Sequence, residues 1–367
     1  MNDASPPESD RAEGAPHPRE TLRLFGHEDA VAEILASLGN DRMHHAWLLA
    51  GPRGVGKATL AWAVARILLA RTGAAGKSGS APKGLDMSAD HPVARRVAAL
   101  SDPGCLLIRR AWDADRKRLK NWITVDEIRR VNRFLGLTAA DGGCRVVIVD
   151  AADDMNLSAA NALLKLLEEP PGSTVLILVS HQPARLLPTI RSRCRIMRLR
   201  ELDETEMDLA LSEAGIAAAS ANGLHALANG SVGEAVRLVH EGGLELYGEI
   251  MDVIATAPSM DRAKLLKLAE RVSARGAERR FDLAARLLDR ALARLARTAA
   301  GMPPESDVTP GESETLARLG ANMGRAHAWA ELQQELSARL THGREVNIDP
   351  ASLIMDAFLR IEATAAL

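Results

Sequence analysis

The sequence is poor in cysteine and in aromatic residues. Its three cysteines, Cys105, Cys144 and Cys194, are too few for a disulfide framework in 367 residues, and none belongs to a CxxC pair of the kind that holds zinc. Aromatic residues make up only 3% of the chain, a composition that suits helix packing better than a β-sandwich. We therefore expect a largely helical protein of a reducing compartment such as the cytoplasm.

Neither sign of charge is in excess, and long hydrophobic runs are missing. The 46 Lys and Arg residues are balanced by 48 Asp and Glu residues, which argues against a protein that holds DNA tightly on its own. The longest apolar runs, such as residues 60–70, contain arginine and stop well before the roughly 20 residues that cross a bilayer. No membrane contact is expected. Residues 1–20 are acidic and rich in proline, without the apolar core of a secretory signal, and are predicted to be a disordered tail.

Strand and helix signals alternate in the first part of the chain. Apolar, β-branched runs at residues 45–50, 145–149 and 174–179 predict buried strands, and helix-forming segments lie between them. This alternation predicts an α/β domain with a parallel sheet. The segment 71–122 is rich in small and charged residues and is predicted to be a surface insertion, while beyond residue 202 only helices are predicted.

A glycine-rich loop follows the first predicted strand and precedes a predicted helix. Backbone N–H groups of such a loop can approach phosphates, and its lysine neutralises their charge. The residues expected to hold a nucleotide here are Gly51, Gly54, Gly56 and Lys57. The next residue is Ala58, where a hydroxyl would coordinate Mg²⁺. Thr59 is a candidate substitute, but one residue further along a helix turns its side chain by about 100°.

Asp150 stands at the end of the second predicted strand, where a carboxylate associated with Mg²⁺ is expected. The residue after it is Ala151, so the glutamate that would polarise an attacking water is missing. Asp153 and Asp154 could replace it, although acids at this position are more typical of the start of the next helix. We expect that ATP or ADP can bind here without efficient hydrolysis.

Arginines are concentrated near the end of the α/β region. Six of them lie between residues 185 and 200, and strand alternation predicts that Arg191, Arg193 and Arg195 share one face. One interpretation is an edge strand protected by charge. The other is an arginine supplied in trans to the ATP of a neighbouring subunit.

Four motifs together resemble the AAA+ clamp-loader family of bacterial DNA polymerase III. They are GPRGVGK at 51–57, VDAA at 149–152, NALLKLLEEPP at 161–171 and IRSRC at 190–194. The resemblance covers residues 20–202, with fainter likeness at 230–235 and 347–356. It implies a RecA-like AAA+ P-loop domain with a parallel sheet over 21–202, a small helical lid over 203–243, and an all-α carboxyl-terminal oligomerisation (collar) domain over 244–367.

Within this family, motor subunits carry Asp-Glu at the second acidic motif and an arginine in the lid. This chain has Asp150 followed by Ala151, and Gly233 in the lid. The resemblance therefore implies a non-motor stator that donates Arg193 of its Ser-Arg-Cys triplet. The partners that it implies are motor subunits of the gamma/tau type, a delta subunit, the sliding clamp and primer-template DNA. Many relatives carry a four-cysteine zinc module, but residues 70–123 contain only Cys105, so no zinc is expected.

Two other functions stay open at this point. A self-sufficient P-loop ATPase of the clamp-loader or helicase-loader type would hydrolyse ATP by itself and lose that activity in a Lys57→Ala variant. A simple nucleic-acid-binding protein would bind DNA alone with strong salt dependence, which a formal net charge of −2 disfavours.

Overall fold

The computed structural model describes most of the chain as two compact units. The described residues are 7–12, 14–40, 43–72, 84–136, 143–216, 221–274, 278–321 and 323–367. The first unit comprises Met1–Ala210 with Gly230–Glu234, and the second comprises Leu211–Asn229 with Ala235–Leu367. Within the described part of the chain, no helix has the length and apolar character needed to cross a bilayer.

The first unit is built on a parallel sheet. Its strands are β1 (Ala46–Ala50), β2 (Cys105–Ile108), β5 (Arg145–Asp150), β6 (Thr174–Ser180) and β7 (Arg195–Arg198), while β3 (Trp112–Asp113) and β4 (Arg118–Leu119) form a separate hairpin. The order across the sheet is β2-β5-β6-β1-β7, and every pairing is parallel. Counted within the sheet and starting from β7, this is the order fifth, first, fourth, third, second. The predicted RecA-like AAA+ arrangement of the α/β domain is confirmed.

Helices cover both faces of this sheet, so its three central strands, β5, β6 and β1, are buried on both sides. Alternate residues of β1 enter different cores: Trp47 and Leu49 pack on one face, and Ala46 and Leu48 on the other. The helices of this part of the chain are α1 (Glu28–Gly39), α2 (Lys57–Thr72), α3 (Pro92–Ala98), α4 (Val125–Gly136), α5 (Leu157–Glu168) and α6 (Pro188–Arg191). Residues of α1 and α2 belong to the first core, and residues of α4 and α5 to the second.

Local signals explain where several elements begin and end. The side chain of Asn156 accepts a hydrogen bond from the backbone N–H of Ala159 (2.9 Å) and so caps α5. Pro170 stops the same helix two residues after its end. Three strands were not predicted: β2, β3 and β4 all lie within the segment 71–122 that was expected to be an insertion, and β2 pairs with β5 as an outer strand of the sheet. The four residues of β2 are followed directly by two arginines, so the apolar run was too short to recognise as a strand.

The described residues of the predicted disordered tail, 7–12 and 14–20, include side chains with defined contacts, and residues 1–6 and 13 lie outside the described part of the chain. The side chains of Asp10 and His17 are fully buried and lie 3.1 Å apart, Nε2 to Oδ2. Arg109 donates hydrogen bonds to both Glu8 (2.8 Å) and Asp10 (2.5 Å). The charges that made this segment resemble a tail are thus paired with a residue about a hundred positions away.

The second unit is helical. The remaining helices are α7 (Glu204–Glu213), α8 (Ala221–Ala228), α9 (Val232–Glu241), α10 (Gly243–Ile254), α11 (Arg262–Ser273), α12 (Glu278–Ala299), α13 (Glu312–Leu319), α14 (Met323–Glu345) and α15 (Pro350–Ala365), of which α7 and α9 have residues in both units. The lid over 203–243 does not form a unit of its own, and its separation from the collar stays a prediction.

A buried carboxylate holds the loop between α12 and α13. Glu312 is 1% exposed and accepts hydrogen bonds from Tyr247 Oη (2.6 Å), Arg294 Nε (2.8 Å) and the backbone N–H of Val308 (2.6 Å). These bonds satisfy the buried charge, so the polar group stabilises the loop in place.

Candidate nucleotide site and arginine groove

The phosphate loop connects β1 to α2 and has the backbone that a phosphate-binding loop requires. Gly54 and Gly56 have φ values of +78° and +107°, which side chains other than hydrogen rarely allow. A Cβ on Gly51 would lie 2.3 Å from the carbonyl oxygen of Leu199, so only glycine fits there. A residue distant in the sequence also holds the loop: Ser231 Oγ donates a hydrogen bond to the carbonyl oxygen of Arg53 (2.8 Å).

Lys57 is enclosed by the loop that it belongs to. Its side chain is almost fully buried, and Nζ donates to the carbonyl oxygens of Gly51 (2.7 Å) and Pro52. Burial lowers the pKa of this lysine to about 8, against the opposing attraction of Asp150. Thr59 lies one position further along α2 than Ala58 and is half-buried. The metal-binding hydroxyl of an active P-loop is therefore replaced by a methyl group.

Asp150 ends β5 beside Lys57, as predicted, but in a setting that disfavours its charge. It is 6% exposed, and burial raises its pKa to about 7, with a further contribution from the carboxylate of Asp10 and an opposing one from Lys57. Ala151 follows it and is buried. No carboxylate stands at the position of the catalytic glutamate.

Asp153 has a role that sequence reasoning missed. It does not begin α5. Its carboxylate accepts hydrogen bonds from Ser180 Oγ (2.7 Å) and from the backbone N–H groups of His181 (2.5 Å) and Gln182 (3.3 Å). It thereby joins the end of β6 to the turn after β5. Asp154 is likewise engaged, since Arg110 Nε lies 3.0 Å from its Oδ2. Neither carboxylate is available as a replacement base.

His181 completes the set of groups at this edge of the sheet, where β1, β5 and β6 end. Burial lowers its pKa to about 4, and the positive charge of Lys57 acts in the same direction, so the imidazole is neutral at ordinary pH. Within the described residues, no group of three or more His, Cys, Asp or Glu side chains could hold a metal ion. The edge thus contains a buried lysine and neutral or already bonded acids, a frame for phosphates without the groups that activate water.

Arg193 lies at the opposite edge of the sheet, where the parallel strands begin. Strands β1, β5 and β6 all end beside the phosphate loop, whereas Arg193 precedes β7, which runs parallel to β1. About 13 Å of strand separates the two edges, from the roughly 3.3 Å rise of each residue in the five-residue β1. Arg193 lines an open groove of about 540 Å³ together with His44, His45, Leu167, Glu168, Ser192, Cys194 and Arg195.

Two contacts hold the Arg193 guanidinium in this groove. One terminal nitrogen donates to the carbonyl oxygen of Thr189 (3.0 Å), and the other lies 2.7 Å from Glu168 Oε1. Its side chain is 35% exposed. Cys194 beside it is buried, and burial raises the pKa of its thiol to about 12, which makes it a packing residue and not a nucleophile.

The prediction that three arginines share a strand face is wrong. Arg191 ends helix α6 and donates to the carbonyl oxygen of Pro183 (3.1 Å), because Pro188 starts a helical turn there. Arg195 belongs to β7, pairs with Glu33 (2.6 Å) and lies over the ring of Trp47. Of the three, only Arg193 contacts Thr189 and Glu168, while Arg195 also lines the groove but is paired with Glu33.

Comparison with known proteins finds similarity over the α/β domain to subunits of DNA polymerase III. Residues 26–203 match the model of the family described as DNA polymerase III, delta subunit. The chain is 42% identical over 164 residues to DNA polymerase III subunit delta' of Pseudomonas aeruginosa, which covers 44% of this chain and 45% of the relative. It is 35% identical over 166 residues to the delta' subunit of Escherichia coli, covering 45% of each.

A gamma/tau subunit is similar as well. The gamma/tau subunit of DNA polymerase III from Mycobacterium tuberculosis is 30% identical over 177 residues, which cover 48% of this chain and 28% of that one. The alignments to the two delta' subunits span about half the length of those relatives. The residues that match the family model, 26–203, include the phosphate loop, the Asp150-Ala151 motif and the Ser-Arg-Cys triplet. Over these aligned residues, the chain is similar to delta' and gamma/tau subunits of DNA polymerase III.

Proposed function

We propose that this chain is the non-motor, delta-prime-type subunit of a bacterial clamp loader. In this role it joins motor subunits of the gamma/tau type and a delta subunit, helps to load the sliding clamp onto primed DNA, and acts in the cytoplasm, where the chromosome is replicated. It hydrolyses little ATP itself. Arg193 instead stabilises charge on the phosphoryl group of ATP bound to a neighbouring subunit.

The observation that carries this proposal is the separation between Arg193 and the chain's own phosphate loop. The two lie at opposite ends of the strands of one sheet, with the length of β1, about 13 Å, between them. A guanidinium at that distance cannot contact a phosphate bound at Lys57. An arginine that is exposed in an open groove can, however, reach a nucleotide on another subunit that packs against this edge.

The state of the chain's own site supports the same division of labour. Ala58 and Ala151 replace the metal-binding hydroxyl and the residue that positions water, and Asp153 is bonded to the end of β6. Lys57 and the loop glycines retain the means to hold ATP or ADP. The site therefore favours nucleotide retention over hydrolysis.

The test is an Arg193→Ala substitution in a complex reconstituted with its motor and delta subunits. Removal of an arginine finger costs on the order of 10³-fold or more at the site that it serves. Because only one of several ATP sites is affected, DNA-stimulated ATP turnover of the whole complex should fall less than clamp loading does. Both rates are measured at matched subunit stoichiometry.

Arg191→Ala and Arg195→Ala are matched controls for the loss of a surface cation. Arg191 and Arg195 have their own partners, Pro183 and Glu33, and lie outside the Thr189 and Glu168 contacts. Both variants should load clamps at nearly the wild-type rate. If the Arg193→Ala complex assembles and works as well as wild type, Arg193 is a structural residue of this edge and the proposal is wrong.

A further inference from the structure

A glutamate side chain at the end of α5 is in direct contact with Arg193. Glu168 is the last residue of that helix, and its Oε1 lies 2.7 Å from a terminal nitrogen of the guanidinium. The other terminal nitrogen donates to Thr189 in α6. Arg193 is thus held from two sides by elements that flank the groove.

These two contacts fix the plane of the guanidinium. An arginine side chain has several rotatable bonds, but its five N–H groups form a rigid planar fork. Once two of its nitrogens are bound to atoms on different helices, the plane has a defined orientation. The remaining N–H groups have no further partner among the contacts of the described residues, so they are available for an incoming anion.

The ion pair between Arg193 and Glu168 is too exposed to hold the arginine away from an incoming phosphate. The side chains of Arg193 and Glu168 are 35% and 48% exposed, and ion pairs in such settings are weak. A phosphate that approaches the groove therefore meets an arginine that is oriented but not withheld. The two roles predict opposite results. If Glu168 held Arg193 back, removing Glu168 would raise activity, whereas if Glu168 orients Arg193, removing it lowers activity.

We propose that Glu168 is the positioning residue for Arg193, and that it orients the guanidinium toward the triphosphate of a neighbouring subunit. The inference rests on the function proposed above. Catalysis through a positioned charge depends strongly on geometry, so loss of the orienting carboxylate should reduce turnover and leave substrate binding by the neighbour unchanged.

The chain offers a closely matched control for this carboxylate. Glu169 is the adjacent acid, is also exposed, and does not contact Arg193 in the structure. Glu168→Gln and Glu169→Gln remove the same charge from neighbouring positions. A general effect of surface charge would appear in both variants, whereas a positioning effect would appear only in the first.

The experiment is a double-mutant cycle in the reconstituted clamp-loading complex. Glu168→Gln should lower the kcat of DNA-stimulated ATP hydrolysis and the clamp-loading rate on the order of fivefold, with KM for ATP unchanged. The same substitution should have no further effect in an Arg193→Ala background. Glu168→Asp should recover part of the loss, and Glu169→Gln should behave as wild type.

The outcomes separate this inference from the function on which it rests. If Arg193→Ala impairs loading but Glu168→Gln does not, or if the two losses simply add, Glu168 is not a positioning residue. An increase in activity of Glu168→Gln would show that Glu168 holds Arg193 back and also overturn the inference. If Arg193→Ala itself has no effect, it is the proposed function that fails.

Discussion

The two edges of the parallel sheet use their polar residues in opposite ways. At the edge where β1, β5 and β6 end, Lys57 is bonded to carbonyl oxygens of its own loop and Asp153 is bonded to the end of β6. At the other edge, Arg193 has two anchors and remains partly exposed in an open groove. The first edge keeps the architecture of an ATPase site without its chemistry. The second presents a cation that the chain's own site cannot use.

The difference indicates which parts of an ATPase fold can change independently. The phosphate loop keeps its shape because its glycines are required by the backbone and by close contacts with residues 199 and 231. Substitutions at positions 58 and 151 remove catalytic groups without disturbing those contacts. Under the proposed function, such a subunit would lose hydrolysis and keep both its fold and the groove that contains Arg193.

The largest effect on stability at the first edge is expected for Gly51→Ala. The new Cβ would lie 2.3 Å from the carbonyl oxygen of Leu199, a backbone atom that cannot move away alone. We expect a loss of about 2 kcal/mol or more in the free energy of unfolding, measured by urea denaturation of the full chain.

Gly172→Ala is the control for this substitution. No atom lies within 4 Å of a Cβ at Gly172, so that variant should stay within about 0.5 kcal/mol of wild type. Equal stabilities of the two variants would mean that the phosphate loop is not held against residue 199, and that its shape is free to change with its chemistry.

A smaller effect, specific to pH, is expected for Asp150. Its pKa in the folded chain is about 7, above the ordinary value of 3.8, so the folded state binds a proton more tightly than the unfolded state. As pH rises from about 4 to about 7, the free energy of unfolding therefore falls through this group. Asp150→Asn removes that contribution, and the stability of the variant should fall less than that of wild type between pH 5 and pH 7.

Comparison between variants isolates this carboxyl from other titrating groups. His181 has a lowered pKa and acts with the opposite sign, since its contribution to stability increases as pH rises, but it is present in both proteins. Asp126→Asn removes an exposed carboxylate and should keep the wild-type slope. Parallel pH profiles for Asp150→Asn and wild type would show that Asp150 is not buried as described.

The sequence predicted the elements whose signals are local. The strands β1, β5 and β6 coincide with the apolar runs of the sequence, and α5 lies between Asn156 and Pro170. The loop at 51–57 between a strand and a helix was also identified from spacing, while the catalytic consequences of Ala58 and Ala151 stay predictions. These features depend on residues that are neighbours in the chain.

Features that depend on distant partners were missed. The prediction of a disordered tail overlooked the pairing of Glu8 and Asp10 with Arg109. Asp153 was assigned to a helix start because nothing local reveals its bonds to Ser180 and to residues 181 and 182. The strand geometry predicted around Arg193 was wrong for another reason, since the signal of Pro188 for a helical turn was present and was given too little weight.

The smallest expected effect is the most informative about the first edge. Lys57→Ala should leave phosphate release by the isolated chain unchanged to within about twofold, because a site without the metal-binding hydroxyl and the water-positioning carboxylate has little hydrolysis to lose. Steady-state phosphate release is measured with Mg²⁺ and saturating ATP, and circular dichroism confirms that both proteins are folded. A motor subunit of the same complex serves as the positive control. If wild type turns over ATP and Lys57→Ala abolishes that turnover, the chain is a self-sufficient ATPase, and the contrast between its two edges does not hold.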